Sequence, residues 1–438
     1  MSTTRLPPGP RSALSQLATM NDPFPWMLSF AREYADPATT PILGGEPLVL
    51  TWDAEGAKTV FTADPSTFTS GVNEALGVIV GEGSIFLMSG ERHRRARKLL
   101  MPPFHGERMR AYGELMRDTA RRWAKKLPTG ETFRMVDTTQ GITLDIIIEA
   151  VFGVRDAAQV AAFHDGIVAL VASFNPFVAM KAFQRDLWGM GPWARFKKRA
   201  DALHTMMDAL IAAKRAAPGD DIVSLLLSAR DETGDALSAQ EVAEQLLSFV
   251  VAGHETTATT LAWAMDQLHR DPGLLARLCA ELDALGPSPA PEALVKLPLL
   301  EAVCNETLRL FPPVPMVTRK LAKGLTLKGY DLPVGTSVAV AGYMAHHREE
   351  VFAEAASFKP ERFVGRTYTP FEFMPYGGGA RRCLGAAFAG YELKVVLATL
   401  LAAGTYRLEE PKPVGRAFRI GTFGPSTGIR MRFTPATA

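Results

Sequence analysis

Fifteen residues towards the C-terminal end, Phe371-Glu-Phe-Met-Pro-Tyr-Gly-Gly-Gly-Ala-Arg-Arg-Cys-Leu-Gly385, hold the most distinctive chemistry in this chain. They present one thiol, Cys383, just ahead of an apolar, Ala-rich helical pattern from Ala386 to Leu401. At a helix start the first amides lack intrahelical partners and the dipole is positive, which favours thiolate over thiol. Gly377 to Gly379 let the backbone turn tightly towards whatever the sulfur binds. Without such neighbours a cysteine reads as a small buried hydrophobe; the glycines and arginines here argue for a ligand. No Cys or His stands at metal-finger spacing from it, which speaks against zinc or an iron–sulfur cluster, and a single thiolate suits one axial ligand to haem iron. No Gly-Lys-Ser/Thr follows the glycines, so a phosphate loop is excluded.

At this loop the sequence resembles the cytochrome P450 monooxygenases of the soluble bacterial type, the haem-thiolate enzymes. Their haem loop carries an aromatic, glycines, an arginine two before the cysteine and a glycine two after. Here these are Tyr376, Gly377, Gly379, Arg381, Cys383 and Gly385. Tyr376 stands where the family usually has Phe; this keeps an aromatic face over the haem and adds a hydroxyl.

Three further segments extend the resemblance. Ala252-Gly-His-Glu-Thr-Thr257 looks like the family's oxygen-binding segment: a small residue such as Gly253 leaves room for dioxygen, while the Thr256 hydroxyl and the Glu255 acid relay protons. The plainer reading has Thr256 back-bonding to a helix carbonyl and Glu255 in a buried ion pair. A zinc-peptidase reading of His254-Glu255 fails because position 258 is Ala. Glu306 and Arg309, at i and i+3, would ordinarily form a solvated salt bridge worth about 0.5 kcal/mol. The resemblance implies instead a buried pair joined by Arg362 of Pro360-Glu-Arg-Phe363, a structural scaffold behind the haem loop. In Gly90 to Lys98, His93 and Arg97 share a helix face, which alone reads as an exposed basic face. The resemblance assigns His93, Arg97, Arg319 and Arg381 to the two haem propionates, anions that need charge-assisted partners. The remaining cations, Arg94, Arg95, Lys98 and Arg382, are expected to face an acidic electron donor.

The elements that must position these residues are mostly helical. Apolar residues make up 47% and charged residues 21% of the 438, which excludes a disordered or low-complexity chain. Forty-eight Lys and Arg against 46 Asp and Glu leave a net charge of +2, with no general pull towards nucleic acid. Three cysteines, Cys279, Cys304 and Cys383, cannot form a disulfide framework, and a reducing cytoplasm is the expectation. No stretch reaches about 18 uninterrupted apolar residues, and the N-terminus lacks a signal pattern.

Leu6 to Pro10 reads as a rigid extended lead-in, and Pro41 to Asp53 as a short hairpin around Gly44-Gly45. The 3.6-residue pattern predicts helices over Arg108 to Lys126, Thr143 to Phe152, Asp201 to Lys214 and Ser238 to His269. The last opens with a capping box, Ser238-Ala-Gln-Glu241, stops before Asp271-Pro272, and is apolar on nearly every face, so it is expected to run buried through the centre. The expected fold is mainly α with a minor β region: a single domain over residues 1–438 with haem between the central helix and the cysteine-loop helix, and no fused reductase domain.

The resemblance spans almost the whole chain, to the β segment around Gly421 to Arg432. It implies a monooxygenase with haem b that inserts one atom of O₂ into a hydrophobic substrate, hydroxylating or epoxidising a fatty acid, terpenoid or polyketide. Electrons would come from a separate ferredoxin or flavodoxin and its NAD(P)H-dependent reductase, and the enzyme is expected to be a monomer. A peroxygenase or an oxygen-independent isomerase of the same fold is the alternative enzyme, and a haem-based ligand binder the non-catalytic one. Candidate pocket walls are Val72 to Phe86, Phe174 to Trp193, Phe249 and Val250, Val314 to Val317, and Thr422 to Phe423; Phe86, Phe174, Phe249, Val314, Met316 and Phe423 are the substrate contacts expected from them.

Overall fold

The structure, a computed structural model, describes residues 6–10, 12, 22–42, 45–69, 74–104, 108–175, 178, 180, 183–185, 189–419 and 421–436. The capping box at Ser238 is formed: Glu241 N–H donates to Ser238 Oγ at 3.1 Å and Ser238 N–H donates to Glu241 Oε2 at 2.8 Å. From this start the central helix, Ala239–Arg270, runs for 32 residues. Asp271 ends it and caps the next helix, Pro272–Asp283, by accepting the Leu274 N–H at 2.9 Å.

Helix Met135–Val151 lies along the central helix and begins eight residues before the predicted Thr143. Its first half escapes a hydrophobic-periodicity reading because Thr138, Thr139 and Gly141 are buried alongside Met135, Val136 and Ile142, so hydroxylated and small residues break up the apolar pattern. Thr139 Oγ1 donates to the Ala258 carbonyl at 2.9 Å and Thr143 Oγ1 to the His254 carbonyl at 3.0 Å, so these threonines are contacts with the central helix. Gly141 faces Trp123 of helix Arg108–Ala124, and a Cβ there would come within 2.2 Å of the indole. The predicted Asp201 to Lys214 segment is likewise part of a longer helix, Gly191–Ala216.

The cysteine helix, Ala386–Ala403, packs between the central helix and Arg108–Ala124. Among the described residues it is the one helix long and apolar enough to cross a membrane by length and composition, yet over half of it is buried within the molecule. It serves here as a core helix, in line with the apolar, Ala-rich pattern read from Ala386 to Leu401, a run that Glu392 and Lys394 interrupt.

The β region is minor, as expected, and its strands are short. A five-stranded sheet has the order Ala38–Thr40, Leu48–Thr51, Ser337–Val340, Val317–Leu321, Phe68–Thr69, with Leu48–Thr51 parallel to Ser337–Val340. The first hairpin strand precedes the predicted Pro41 because Pro41 and Pro47 fall in the turn, where a missing N–H costs no ladder bond; Gly44 lies outside the described residues. The lead-in docks on this strand, with the Pro8 carbonyl accepting the Thr39 N–H at 3.0 Å. Thr132–Arg134, Arg430–Pro435 and Gly404–Leu408 form a second sheet, and Arg416–Arg419 pairs with Thr422–Pro425 in a hairpin.

Two apolar clusters fill the interior. One surrounds the central helix at Leu246, Leu261 and Trp263; the other lies under the five-stranded sheet at Phe24, Met27, Leu50 and Val338. Replacing Gly141 by Ala forces a methyl into the Trp123 ring, and overpacking of this kind costs about 1–3 kcal/mol. A lowered midpoint in urea unfolding with an unchanged slope is the expected outcome.

Candidate active site

The loop that carries Cys383 is shaped by close approach to the N-terminal half of the chain. Gly377 and Gly379 have φ of 64° and 66°, the left-handed region that glycine enters without strain. A Cβ on Gly378 would come 2.3 Å from the Phe61 ring, and one on Gly379 would come 2.0 Å from the Phe61 carbonyl oxygen. The glycine run thus seats the loop on helix Ala54–Thr62, in addition to turning the chain. Cys383 N–H closes the loop by donating to the Tyr376 carbonyl at 2.9 Å. The Tyr376 hydroxyl points to the cysteine helix, where a Cβ on Gly390 would be 3.5 Å away, and burial pushes its pKa well up, so it stays a neutral phenol.

Cys383 is exposed in area yet crowded by surrounding protein, the situation of a group on the wall of an interior cleft. Burial pushes its thiol up from the ordinary value, against the Gly385 N–H on the sulfur and the charges of Arg382 and Arg97. This reverses the expectation that the helix start would favour thiolate. The helix begins only at Ala386, and desolvation outweighs a dipole that falls off within one turn. A bound metal ion deprotonates a coordinating thiol outright. The sulfur therefore fits a metal ligand better than a free nucleophile.

Beside the cysteine loop stand three guanidinium groups and an imidazole with no carboxylate partner among the described residues. His93 and Arg97 come from helix Gly90–Leu100, Arg319 from strand Val317–Leu321 and Arg381 from the cysteine loop. Burial and the charges of Arg381, Arg97 and Arg319 push His93 down to about 4. Burial and then Arg381 lower Arg319 to about 10, and burial lowers Arg97 and Arg381. Among the described residues no carboxylate pairs with Arg97, Arg319 or Arg381; Arg319 donates only to its neighbour's carbonyl and Arg381 to that of Met88. Mutually repelling, partly desolvated cations are tolerated only where an anion is to be held. The arrangement fits the two propionates of haem, as the thiol fits its iron.

Behind the loop, Glu306 and Arg309 have no exposed side-chain surface. Arg309 donates to both Glu306 oxygens at 2.7 and 2.8 Å, to the carbonyls of His346 and Ala355 at 2.7 Å each, and to that of Ser357 at 3.1 Å. Arg362 Nε adds a bond to Glu306 Oε1 at 3.1 Å, and Lys359 N–H another at 2.7 Å. A residue that the sequence reading passed over completes the scaffold. His346 Nε2 accepts the Met374 N–H at 3.0 Å and so ties the Arg309 network to the cysteine loop. A lone histidine carries no sequence signal for such a role.

On the central helix Thr256 Oγ1 donates to the Ala252 carbonyl at 2.7 Å. Glu255 Oε2 accepts from Gln140 Nε2, and Oε1 lies 3.9 Å from Arg419 Nε. Both halves of the plainer reading are thus present, and no hydrogen bond joins Thr256 to Glu255, which point about 100° apart on the helix. Gly253 needs correction as the small residue of the oxygen-binding segment: a Cβ there would come 2.6 Å from Ile147 Cδ1, so it packs against Met135–Val151, and the exposed small residue is Ala252. Nothing lies within 4 Å of where a Cβ of Gly385 would be.

The expected substrate contacts divide between the two clusters. Phe86, Phe174 and Phe249 pack on the central one, and Met316 and Phe423 on the other. Phe249 meets Phe104 edge to face at 5.1 Å and Phe174 meets Phe196 at 6.3 Å, while Val250 is buried core. Val314 is exposed, as is Phe418, which the sequence reading missed and which stacks edge to face on Phe423 at 5.3 Å. Val72 and parts of 174–193 lie outside the described residues. The expected donor-facing cations are mostly neutralised: Arg94 pairs with Glu91 at 2.7 Å, Arg95 with Asp231, and Lys98 with Glu232 at 2.7 Å. Arg382 is exposed and has no ion-pair partner among the described residues.

Comparison with known proteins agrees with this geometry. The cytochrome P450 family model matches residues 8–415. The chain is 35% identical over 418 residues to the Mycobacterium tuberculosis protein named "Putative cytochrome P450 137", covering 94% of this chain and 85% of the relative. It is 32% identical over 408 residues to that organism's "Putative cytochrome P450 135B1", covering 91% and 85%. The crystal structure of the cytochrome P450DA haem domain superposes with a TM-score of 0.87 at 23% identity over 99% of this chain and 98% of that one. A retinoic-acid-bound cyanobacterial P450 gives 0.80 at 22% identity, over 92% and 93%. The chain belongs to the cytochrome P450 family and is a haem monooxygenase, an oxidoreductase.

Two outcomes follow from the scaffold. Glu306→Ala leaves a buried guanidinium uncompensated, and is expected to lose about 3–5 kcal/mol in chemical unfolding of the holoenzyme. Burial, with Arg309 and His347 adding repulsion, pushes His346 down to about 3, and burial takes His347 to about 4. The unfolded chain therefore takes up these protons first. The contribution is full above the ordinary value of 6.5 and is lost as pH falls towards about 3. His346→Gln, which keeps an acceptor but does not titrate, is expected to flatten the fall in unfolding midpoint across that window.

Proposed function

We propose that the protein holds haem b between the central helix and the cysteine helix, with Cys383 as the thiolate ligand and His93, Arg97, Arg319 and Arg381 on the propionates. The observation that carries this is the cluster of desolvated cations without carboxylates beside an accessible, crowded thiol. Haem bound there supplies dioxygen binding and activation, with an electron-rich thiolate favouring O–O cleavage. The protein's own part is to keep the thiolate, place protons and exclude water. Gly385 N–H and the Arg97 and Arg382 charges stabilise the sulfur's negative charge. Thr256, on the same helix face as exposed Ala252, would pass protons into the cleft by releasing its bond to the Ala252 carbonyl, and Glu255 would resupply it from the side of Gln140 and Arg419.

The substrate class this supports is hydrophobic, a fatty acid, terpenoid or polyketide hydroxylated or epoxidised at a carbon near the haem. Support comes from aromatic and aliphatic side chains that are partly buried, Phe86, Met316 and Phe423 among them, and from exposed Phe418. Electrons would come from a separate ferredoxin or flavodoxin with its NAD(P)H-dependent reductase. The acidic donor would meet the unpaired Arg382 beside the cysteine loop rather than Arg94, Arg95 and Lys98, and we place the chain in the cytoplasm, as a monomer of one domain.

Cys383→Ser is expected to abolish the ferrous carbon-monoxide spectrum of thiolate ligation; a spectrum identical to wild type would exclude the ligand assignment. Titrating the ferric protein with a long-chain fatty acid and with a cyclic sesquiterpene is expected to give a low-to-high-spin shift with one of them. Thr256→Ala is expected to keep that shift and to release hydrogen peroxide at the expense of product, and unchanged coupling would remove Thr256 from the relay.

A further inference from the structure

Two buried polar atoms face one another without a hydrogen bond. Glu255 Oε1 on the central helix and Arg419 Nε on strand Arg416–Arg419 each lack a hydrogen-bond partner, and they form a long ion pair, 3.9 Å apart. The other carboxylate oxygen is occupied by Gln140 Nε2 from helix Met135–Val151, so Oε1 is the one free to change partner. The guanidinium reaches this place because of a glycine: on the opposing strand a Cβ of Gly424 would come 3.0 Å from Arg419 Nε and 2.8 Å from Thr259 Cγ2 of the central helix. Its other end is anchored within the hairpin, where Arg419 Nη2 donates to the Pro425 carbonyl at 3.2 Å. A cation guided through a glycine slot, tied at one end and stopped about 1 Å short of a carboxylate, needs only a small shift of the hairpin to make or release a charge-assisted bond.

We propose that Arg419 is a positioning residue for Glu255, holding the carboxylate on the side of Gln140 and releasing it towards Thr256 when the hairpin shifts. This rests on the reading of Glu255 as the acid of the proton relay. The groups facing the carboxylate are Arg419 from the hairpin, neutral Gln140 from the adjacent helix and, on its own helix, His254, whose imidazole burial keeps neutral and whose Nδ1 lies 2.9 Å from the Val250 carbonyl. Arg419 is thus the cation that can balance Glu255 from outside its own helix. Strand alternation places Phe418 on the face opposite Arg419, so the same strand shows an aromatic ring on one side and the guanidinium on the other.

The test uses holoenzyme of wild type, Arg419→Gln, Glu255→Gln, the double variant and Arg419→Lys. Two quantities are read: the unfolding midpoint in urea, and hydrogen peroxide released per reduced nicotinamide consumed with a ferredoxin and its reductase, in H₂O and D₂O with dodecanoic acid as the probe. The expected result is a double variant shifted less than the sum of the single shifts, because removing one charge strands the other. Arg419→Gln is also expected to raise peroxide release at least threefold with an altered solvent isotope effect, and Arg419→Lys to restore most of the wild-type behaviour. Additive midpoint shifts, with peroxide release and isotope effect at the wild-type level in Arg419→Gln while Glu255→Gln is impaired, would overturn the proposal. Wild-type peroxide release in Glu255→Gln would instead overturn the relay reading, and is recognised separately because the midpoint cycle measures the pair without reference to turnover.

Discussion

One carboxylate and one guanidinium, sealed from water, hold the cysteine loop in place. Arg309 spends every donor on fixed acceptors: both oxygens of Glu306 and the carbonyls of three residues between His346 and Ser357. A buried ion pair adds little stability over an apolar replacement, but it is intolerant of misplacement because each unmet donor costs a desolvation penalty. Segments far apart in the chain are therefore brought to one point with little freedom. The His346 imidazole passes this order to Met374, and the turn through Gly377 and Gly379 delivers it to Cys383.

Charge placement distinguishes this interior point from the surface. Arg94, Arg95 and Lys98 share a helix with His93 and Arg97 but point outwards, and each finds a carboxylate. His93 and Arg97, on the inner face, meet no carboxylate among the described residues: His93 lies among the charges of Arg381, Arg97 and Arg319, and Arg97 beside Arg382 and Cys383. Concentrating positive charge where desolvation already penalises it works against the fold unless an anion neutralises it. An anion bound there would thus be coupled to completion of the structure, and the same neutralisation would oppose the shift that keeps His93 uncharged.

The central helix reconciles a buried course with polar side chains by giving nearly every one a local use. Gln245 and Ser248 bind the segment at Gly83 to Ile85, Thr259 and Thr260 return to carbonyls of their own helix, and two carbonyls accept hydroxyls from the neighbouring helix. Glu255 stands apart, with one carboxylate oxygen unpartnered and near an equally unpartnered arginine nitrogen. Incomplete satisfaction in an otherwise satisfied interior marks the point where the structure can change at small cost.

The sequence by itself determined what depends on local chemistry. The Ser238 capping box and Asp271-Pro272 bounded the central helix, the glycines around Cys383 required a tight turn, and the spacing of Glu306 and Arg309 placed both on one helix face. Family resemblance added that this pair is buried and joined by Arg362. Only the tertiary structure decided what depends on who stands opposite. It showed that Thr139 and Thr143 bond to the central helix, that Gly253 makes room for Ile147 while Ala252 is exposed, and that Gly378 and Gly379 are required by Phe61. It reversed the expected shift of the Cys383 thiol, because desolvation is set by everything around the sulfur and not by the helix that follows it. It also recruited His346, Gln140 and Arg419, whose partners lie 28, 115 and 164 residues away along the chain. Separations of that size leave no periodicity in the sequence, since the pairing exists only once packing has brought the segments together.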